Sequence, residues 1–217
     1  MENVAVILAA GTGSRMGLGY PKQFALLPDG RTVLEHSVRV FASVPSIHRL
    51  IVVSHPDWMD KTREVLSSAR LRAEVIAGGE RRCDSSVNAL RLVSDDDNVL
   101  IHDAARPFVS CSIIERCLSA LSTHQACAVG VTSTDTVWQV LDGHIVGIPP
   151  RSTMFRAQTP QCFRASVIKQ AYRLALDDPQ FQATDDCGVL LAYVPSVKIR
   201  VIEGDVENKK VTFKSDL

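Results

Sequence analysis

A chain of 217 residues with 46% hydrophobic and 22% charged residues has ordinary globular composition and enough length to bury a sizeable core. Its 24 Lys and Arg balance 24 Asp and Glu, which excludes a general affinity for nucleic acid or anionic membrane, so any phosphate binding must be local. The apolar run Val4 to Ala10 is too short to span a bilayer and carries no basic segment before it or cleavage pattern after it, so a cytoplasmic protein is expected.

The first expected strand, Val4–Ala9, runs straight into Leu8-Ala9-Ala10-Gly11-Thr12-Gly13-Ser14-Arg15-Met16-Gly17. Small residues from Ala9 to Gly13 let backbone N–H groups cradle phosphate oxygens, and a Cβ at Gly11 or Gly13 would crowd a bound anion. A Walker loop would end in Gly-Lys-Ser/Thr, which is missing. A dinucleotide fingerprint needs its third glycine one place before Gly17 and an acid closing the second strand. The nearest acid, Glu35, falls inside a helical pattern, which weighs against an NAD-linked oxidoreductase. What the loop does carry is Arg15 and, behind Pro21, Lys22, two cations able to neutralise a triphosphate and the charge of departing pyrophosphate.

Further along, Leu34, Val38 and Phe41 share one helical face, as do Val65, Leu66 and Ala69. Strands are expected at Arg49–Ser54, Ala73–Ile76, Val99–His102, Ala126–Val131 and Val197–Ile202, and helices at Asp84–Leu92, Ser112–Leu121 and Ala165–Leu176. This alternation predicts a Rossmann-like α/β fold, a mainly parallel twisted sheet flanked by helices, in a single domain. Residues 134–151 break the pattern. Val137–Val140 and His144–Val146 flank a tight Asp142-Gly143 turn, so a projecting β-hairpin arm is expected, either for homodimer formation or as a flap on its own subunit. Six cysteines form no Cys-x-x-Cys pair or zinc-like spacing and are expected to be buried reduced thiols.

The segment Leu8 to Gly17 with Pro21-Lys-Gln-Phe24 resembles the nucleotide loop of the cytidylyltransferases acting on 2-C-methylerythritol 4-phosphate and ribitol 5-phosphate. Gly78-Gly79 with Arg82 and Ser85, His102-Asp-Ala-Ala-Arg-Pro107, Gln158-Thr-Pro-Gln161 and Asn208-Lys-Lys-Val-Thr212 extend the resemblance along nearly the whole chain. It implies CTP as donor, with Ala9, Ala10, Gly11, Thr12, Gly13, Gly79, Arg82 and Ser85 binding the nucleotide; Ser85 reads equally well as a helix cap. It further implies Arg15, Lys22 and Lys210 as catalytic cations, and Asp103 as the carboxylate of a Mg²⁺ site. Asp103, Arg106, Thr136, Arg151, Thr159 and Thr184 would surround a polyol phosphate, with Arg151 reaching a neighbouring subunit's site from the arm.

No nucleophilic triad is needed, because the acceptor phosphate is already ionised near neutral pH and can attack the α-phosphorus of CTP in line. Ile148-Pro-Pro-Arg-Ser-Thr-Met154 and Thr184-Asp-Asp-Cys-Gly188 resemble the ribitol branch. They make ribitol 5-phosphate the expected acceptor and 2-C-methyl-D-erythritol 4-phosphate the alternative. The ending at Asp216-Leu217 is compatible with the N-terminal part of a longer, bifunctional chain carrying a reductase domain.

Overall fold

The computed structural model describes residues 1–13 and 16–217. Seven strands form one sheet in the order β3-β2-β1-β4-β8-β5-β9. They are β1 (Asn3–Ala9), β2 (Arg49–Ser54), β3 (Glu74–Ala77), β4 (Asn98–Asp103), β5 (Ala126–Thr132), β8 (Phe155–Arg164) and β9 (Ile199–Glu203). A separate hairpin pairs β6 (Gln139–Leu141) with β7 (His144–Gly147). All pairings in the sheet are parallel except those of β8, which runs antiparallel between β4 and β5.

Helices cover both faces, so the central strands are apolar on both sides rather than alternating. In β1, Val4 and Val6 enter one layer with α3 (Arg82–Leu90), α5 (Ala165–Leu176) and α6 (Asp186–Tyr193). Ala5, Ile7 and Ala9 enter the other, with α1 (Val33–Ala42), α2 (Met59–Ser68) and α4 (Cys111–Leu121). The helix starts are set by side chains that accept otherwise unpaired backbone N–H groups. Thr32 caps α1 through the Glu35 N–H, Ser110 caps α4 through that of Ile113, and Asp185 caps α6 through that of Gly188. Ile7, Phe41 and Ile101 are fully buried, and truncating any of them to alanine costs about 2–5 kcal/mol.

The expected elements are all present with ends shifted by one or two residues, as at α3 and β9. Two were missed. Proline is uncommon within a sheet, yet β8 accommodates Pro160 where the register with β5 shifts between Ala128 and Gly130. The eight residues of α6 hold Gly188 and no clear helical period. The hairpin forms as expected: Asp142 and Gly143 both have positive φ, 49° and 77°, the geometry of a type I′ turn. Its apolar residues stay exposed, Trp138 at 59%, Val140 at 55% and Leu141 at 63%.

All six cysteines are free thiols, but Cys111 is exposed and Cys187 half-buried rather than buried. Cys117, Cys127 and Cys162 meet within the core with their sulfurs inside 4.8 Å of one another, a cluster their spacing did not reveal. No helix among the described residues is long and apolar enough to cross a membrane.

Candidate active site

In open parallel sheets, ligands bind at the carboxyl ends of the strands where the strand order reverses. Here that point lies between β1 and β4, from which the chain proceeds to opposite edges. The glycine loop leaves β1 at this place and Asp103 ends β4 beside it. Together with the start of α3 and the C-terminal segment they line a cleft of about 340 Å³. Ala9, Ala10, Gly11, Thr12, Gly13, Lys22, Gly79, Arg82, Ser85, Asp103 and Lys210 all face it, as their expected roles require.

Gln23, which sequence reasoning passed over, braces the loop. It is 4% exposed, and its Nε2 donates to the carbonyls of Ala9 at 2.6 Å and Gly11 at 3.2 Å. Among the described residues, Gly11 has nothing within 4 Å of where a Cβ would stand. Gly13 is needed for another reason. Its φ is +69°, and a Cβ there would lie 2.8 Å from the backbone nitrogen of Lys22, so glycine lets Lys22 approach the loop. Lys22 donates to the carbonyl of Val211 at 2.7 Å. Arg15, the other expected cation of this loop, lies outside the described residues.

Lys210 is held between two buried neighbours. Val211 is fully buried and donates its N–H to the Ala105 carbonyl, while Asn208, also fully buried, donates to Gln158 Oε1 and the Thr159 carbonyl. The Lys210 ammonium thereby reaches Asp103 Oδ2 at 2.6 Å. Arg82 Nε donates to the other oxygen, Oδ1, at 3.2 Å. Burial opposes ionisation of Asp103, but the two cations outweigh it and hold the carboxyl well below the usual range.

Behind Asp103 stands a chain of defined proton positions. Burial lowers the His102 pKa to about 4, so the ring is neutral at ordinary pH. Its Nε2 donates to the Arg106 carbonyl at 3.0 Å, which leaves Nδ1 as an acceptor. Thr159 Oγ1 therefore donates to Nδ1 at 2.9 Å and accepts the Asp103 N–H at 3.2 Å. This differs from the expected direct contact with substrate. Thr159 is 5% exposed and sets the end of β4 from behind.

The other residues expected around the acceptor do not line the cleft. Arg106 donates to the carbonyls of Asn208 and Ala157, tying β8 to the C-terminal segment. Arg151 donates to the Thr134 carbonyl at the base of the arm. Thr136 and Thr184 are exposed and are not among the residues that line the cleft. Ser85 is not a cap, since α3 begins at Arg82; it is 3% exposed and accepts the Gly79 N–H at 3.2 Å. The close turn before it needs glycines, because a Cβ at Gly79 would lie 2.4 Å from Asp84 Cβ.

Asp103 and Glu80 are the carboxylates among the described lining residues. Mg²⁺ commonly takes one or two carboxylates and completes its shell with water and substrate phosphates. Each Asp103 oxygen accepts one strong donor and keeps a lone pair, so the donor set fits such an ion.

The profile of the family described as IspD, 2-C-methyl-D-erythritol 4-phosphate cytidylyltransferase, matches residues 3–217. The 2-C-methyl-D-erythritol 4-phosphate cytidylyltransferase of Thermobifida fusca is 43% identical over 98% of this chain and 89% of its own length. The bifunctional ribulose 5-phosphate reductase/CDP-ribitol pyrophosphorylase Bcs1 of Haemophilus influenzae is 33% identical, covering 100% of this chain but 47% of its own. Among solved structures, the 4-diphosphocytidyl-2C-methyl-D-erythritol synthase of Anaerococcus prevotii superposes with a TM-score of 0.88 at 28% identity, covering 99% of this chain and 92% of that one. The Francisella tularensis cytidylyltransferase gives 0.82 at 28% identity, over 100% and 96% of the two chains.

Proposed function

The chain belongs to the 2-C-methyl-D-erythritol 4-phosphate cytidylyltransferase family, and from that premise we propose that its acceptor is 2-C-methyl-D-erythritol 4-phosphate. The reaction transfers CMP from CTP to the acceptor phosphate and releases pyrophosphate. The observation that carries the chemistry is the convergence of Lys22, Arg82, Asp103 and Lys210 on the glycine loop at the β1/β4 switch point.

The preference for methylerythritol phosphate rests on the relatives, 43% identity against 33% for the ribitol-type protein. It reverses the expectation drawn from Thr184 to Gly188 and from Ile148 to Met154. In this chain the latter segment lies at the exposed base of the arm and lines no part of the cleft of its own chain.

One oxygen of the acceptor phosphate attacks the α-phosphorus, and the bond to the β-phosphate bridging oxygen breaks. Lys22, at the loop, is placed to stabilise the charge that grows on the leaving pyrophosphate, with Arg15 earlier in the same stretch of sequence. Lys210 lies on the Asp103 side and would meet the α-phosphate. Asp103, with the nucleotide phosphates, would hold Mg²⁺, which when bound supplies positive charge between two mutually repelling phosphates.

The cleft of one chain holds the nucleotide machinery but few acceptor donors. The exposed apolar arm supports a homodimer in which Arg151 and Thr136 complete the acceptor site of the partner subunit. Labelled CTP tests the reading: the α-phosphorus label must appear in the diphosphocytidyl product and the β label in pyrophosphate. Label remaining in CTP with the methylerythritol acceptor present would reject it.

A further inference from the structure

Arg82 stands between two carboxylates, and only one of them belongs to the cleft. Its Nη1 donates to Asp186 Oδ2 at 2.7 Å and its Nε to Asp103 Oδ1 at 3.2 Å. Asp186 is fully buried, at the first position of α6. Its other oxygen, Oδ1, accepts the Tyr172 hydroxyl from α5 at 2.6 Å, and its N–H donates to Gln161 Oε1 at 3.0 Å. A buried carboxylate is tolerated only when both oxygens are satisfied, and here Tyr172 and Arg82 satisfy one each. Among the described residues, Arg82 Nη2 has no hydrogen-bond partner, and the residue lines the cleft.

We infer that Asp186, backed by Tyr172, is a positioning residue that aims Arg82 into the nucleotide cleft. A guanidinium is planar and its donors leave in fixed directions, so fixing the Nη1 and Nε edges also fixes the direction of Nη2. Asp186 turns a long, rotamer-rich side chain into a preset donor for an acceptor atom of the nucleotide. Held this way, Arg82 does not lose its side-chain freedom at the moment of binding. The inference rests on the reading of the cleft as a CTP site and assigns Asp186 no contact with CTP itself.

The test is a double-mutant cycle on CTP affinity, measured by calorimetry with Mg²⁺ and no acceptor, so that the identity of the acceptor does not enter. Asp186→Asn should weaken CTP binding about tenfold or more in this acceptor-free measurement. In an Arg82→Ala background the same substitution should change CTP affinity by less than about twofold, because the residue it acts through is gone. Tyr172→Phe should move affinity in the same direction by a smaller factor, again only when Arg82 is present; this pair decides the matter if Asp186→Asn does not fold. Undiminished CTP affinity in Asp186→Asn, or an equal loss with and without Arg82, would overturn the inference. A wild-type protein that binds no CTP would instead overturn the functional reading, and the inference with it.

Discussion

The ammonium of Lys210 lies 2.6 Å from Asp103 Oδ2 and so joins the C-terminal segment to the end of β4 across 107 residues of chain. A cation and an anion this close at the mouth of a cleft hold each other in place before any substrate arrives. Lys210→Ala should lower turnover by about a hundredfold or more and leave the far-ultraviolet circular dichroism unchanged. Retention of more than a tenth of wild-type kcat would remove Lys210 from the chemistry.

Lys22 gives a second measure of the same principle, its Nζ held on the carbonyl of Val211, next to Lys210. On the proposed reading it meets the charge of the leaving group, so Lys22→Ala should reduce kcat by several powers of ten with the fold intact. A near-normal rate would show that the charge on pyrophosphate is met elsewhere.

Two glycines of the same loop should behave differently. Gly13→Ala forces a positive φ on alanine and presses against the Lys22 backbone, so it should cost about 1–3 kcal/mol of stability and much of the activity. Gly11→Ala meets no atom of the described residues within 4 Å and should keep its melting temperature while losing CTP affinity. Equal melting temperatures for the two variants would contradict this account of the loop.

His102 makes stability depend on pH. Its folded pKa, about 4, lies below the ordinary 6.5, so between those values the unfolded chain binds a proton that the fold refuses. Stability from this group is therefore fully present above about pH 6.5 and declines as pH falls towards 4, by on the order of 3 kcal/mol. Urea unfolding at pH 5 and pH 7 reads the slope, and an NMR titration assigns it. A His102 ring that protonates near pH 6.5 in the folded protein would refute the buried, neutral assignment.

How much was legible in the sequence follows from the range of the contacts. The glycine loop, Lys22, the Asp-Gly hairpin turn and the parallel alternation are local patterns, and each was found. The bracing of the loop by Gln23, the His102–Thr159–Asp103 chain and the Asp186–Arg82 pair join residues from 12 to 104 positions apart, and no spacing rule announces them. Gln158-Thr-Pro-Gln161 was noticed as a motif but not as a strand, because Pro160 masked a strand whose central place is decided by β4 and β5 on either side. Thr159 was legible as important and misread in role, since a hydroxyl turned inward and one turned toward substrate look alike in sequence.

The arm carries a separate prediction. Trp138, Val140, Leu141 and Ile145 leave more than half their surface exposed in one chain, more apolar area than a two-stranded ribbon holds in water without a partner. Sedimentation should show a dimer, and Trp138→Asp with Leu141→Asp should yield monomers with weakened acceptor binding but unchanged CTP affinity. A monomeric wild-type protein would leave the arm as a flap on its own subunit.

The central claim is tested most directly by pyrophosphate release from CTP and Mg²⁺ in two parallel reactions, one with 2-C-methyl-D-erythritol 4-phosphate and one with ribitol 5-phosphate. The account predicts kcat/KM at least about a hundredfold higher with the methylerythritol acceptor. Faster release with ribitol 5-phosphate, or release with neither, would contradict it.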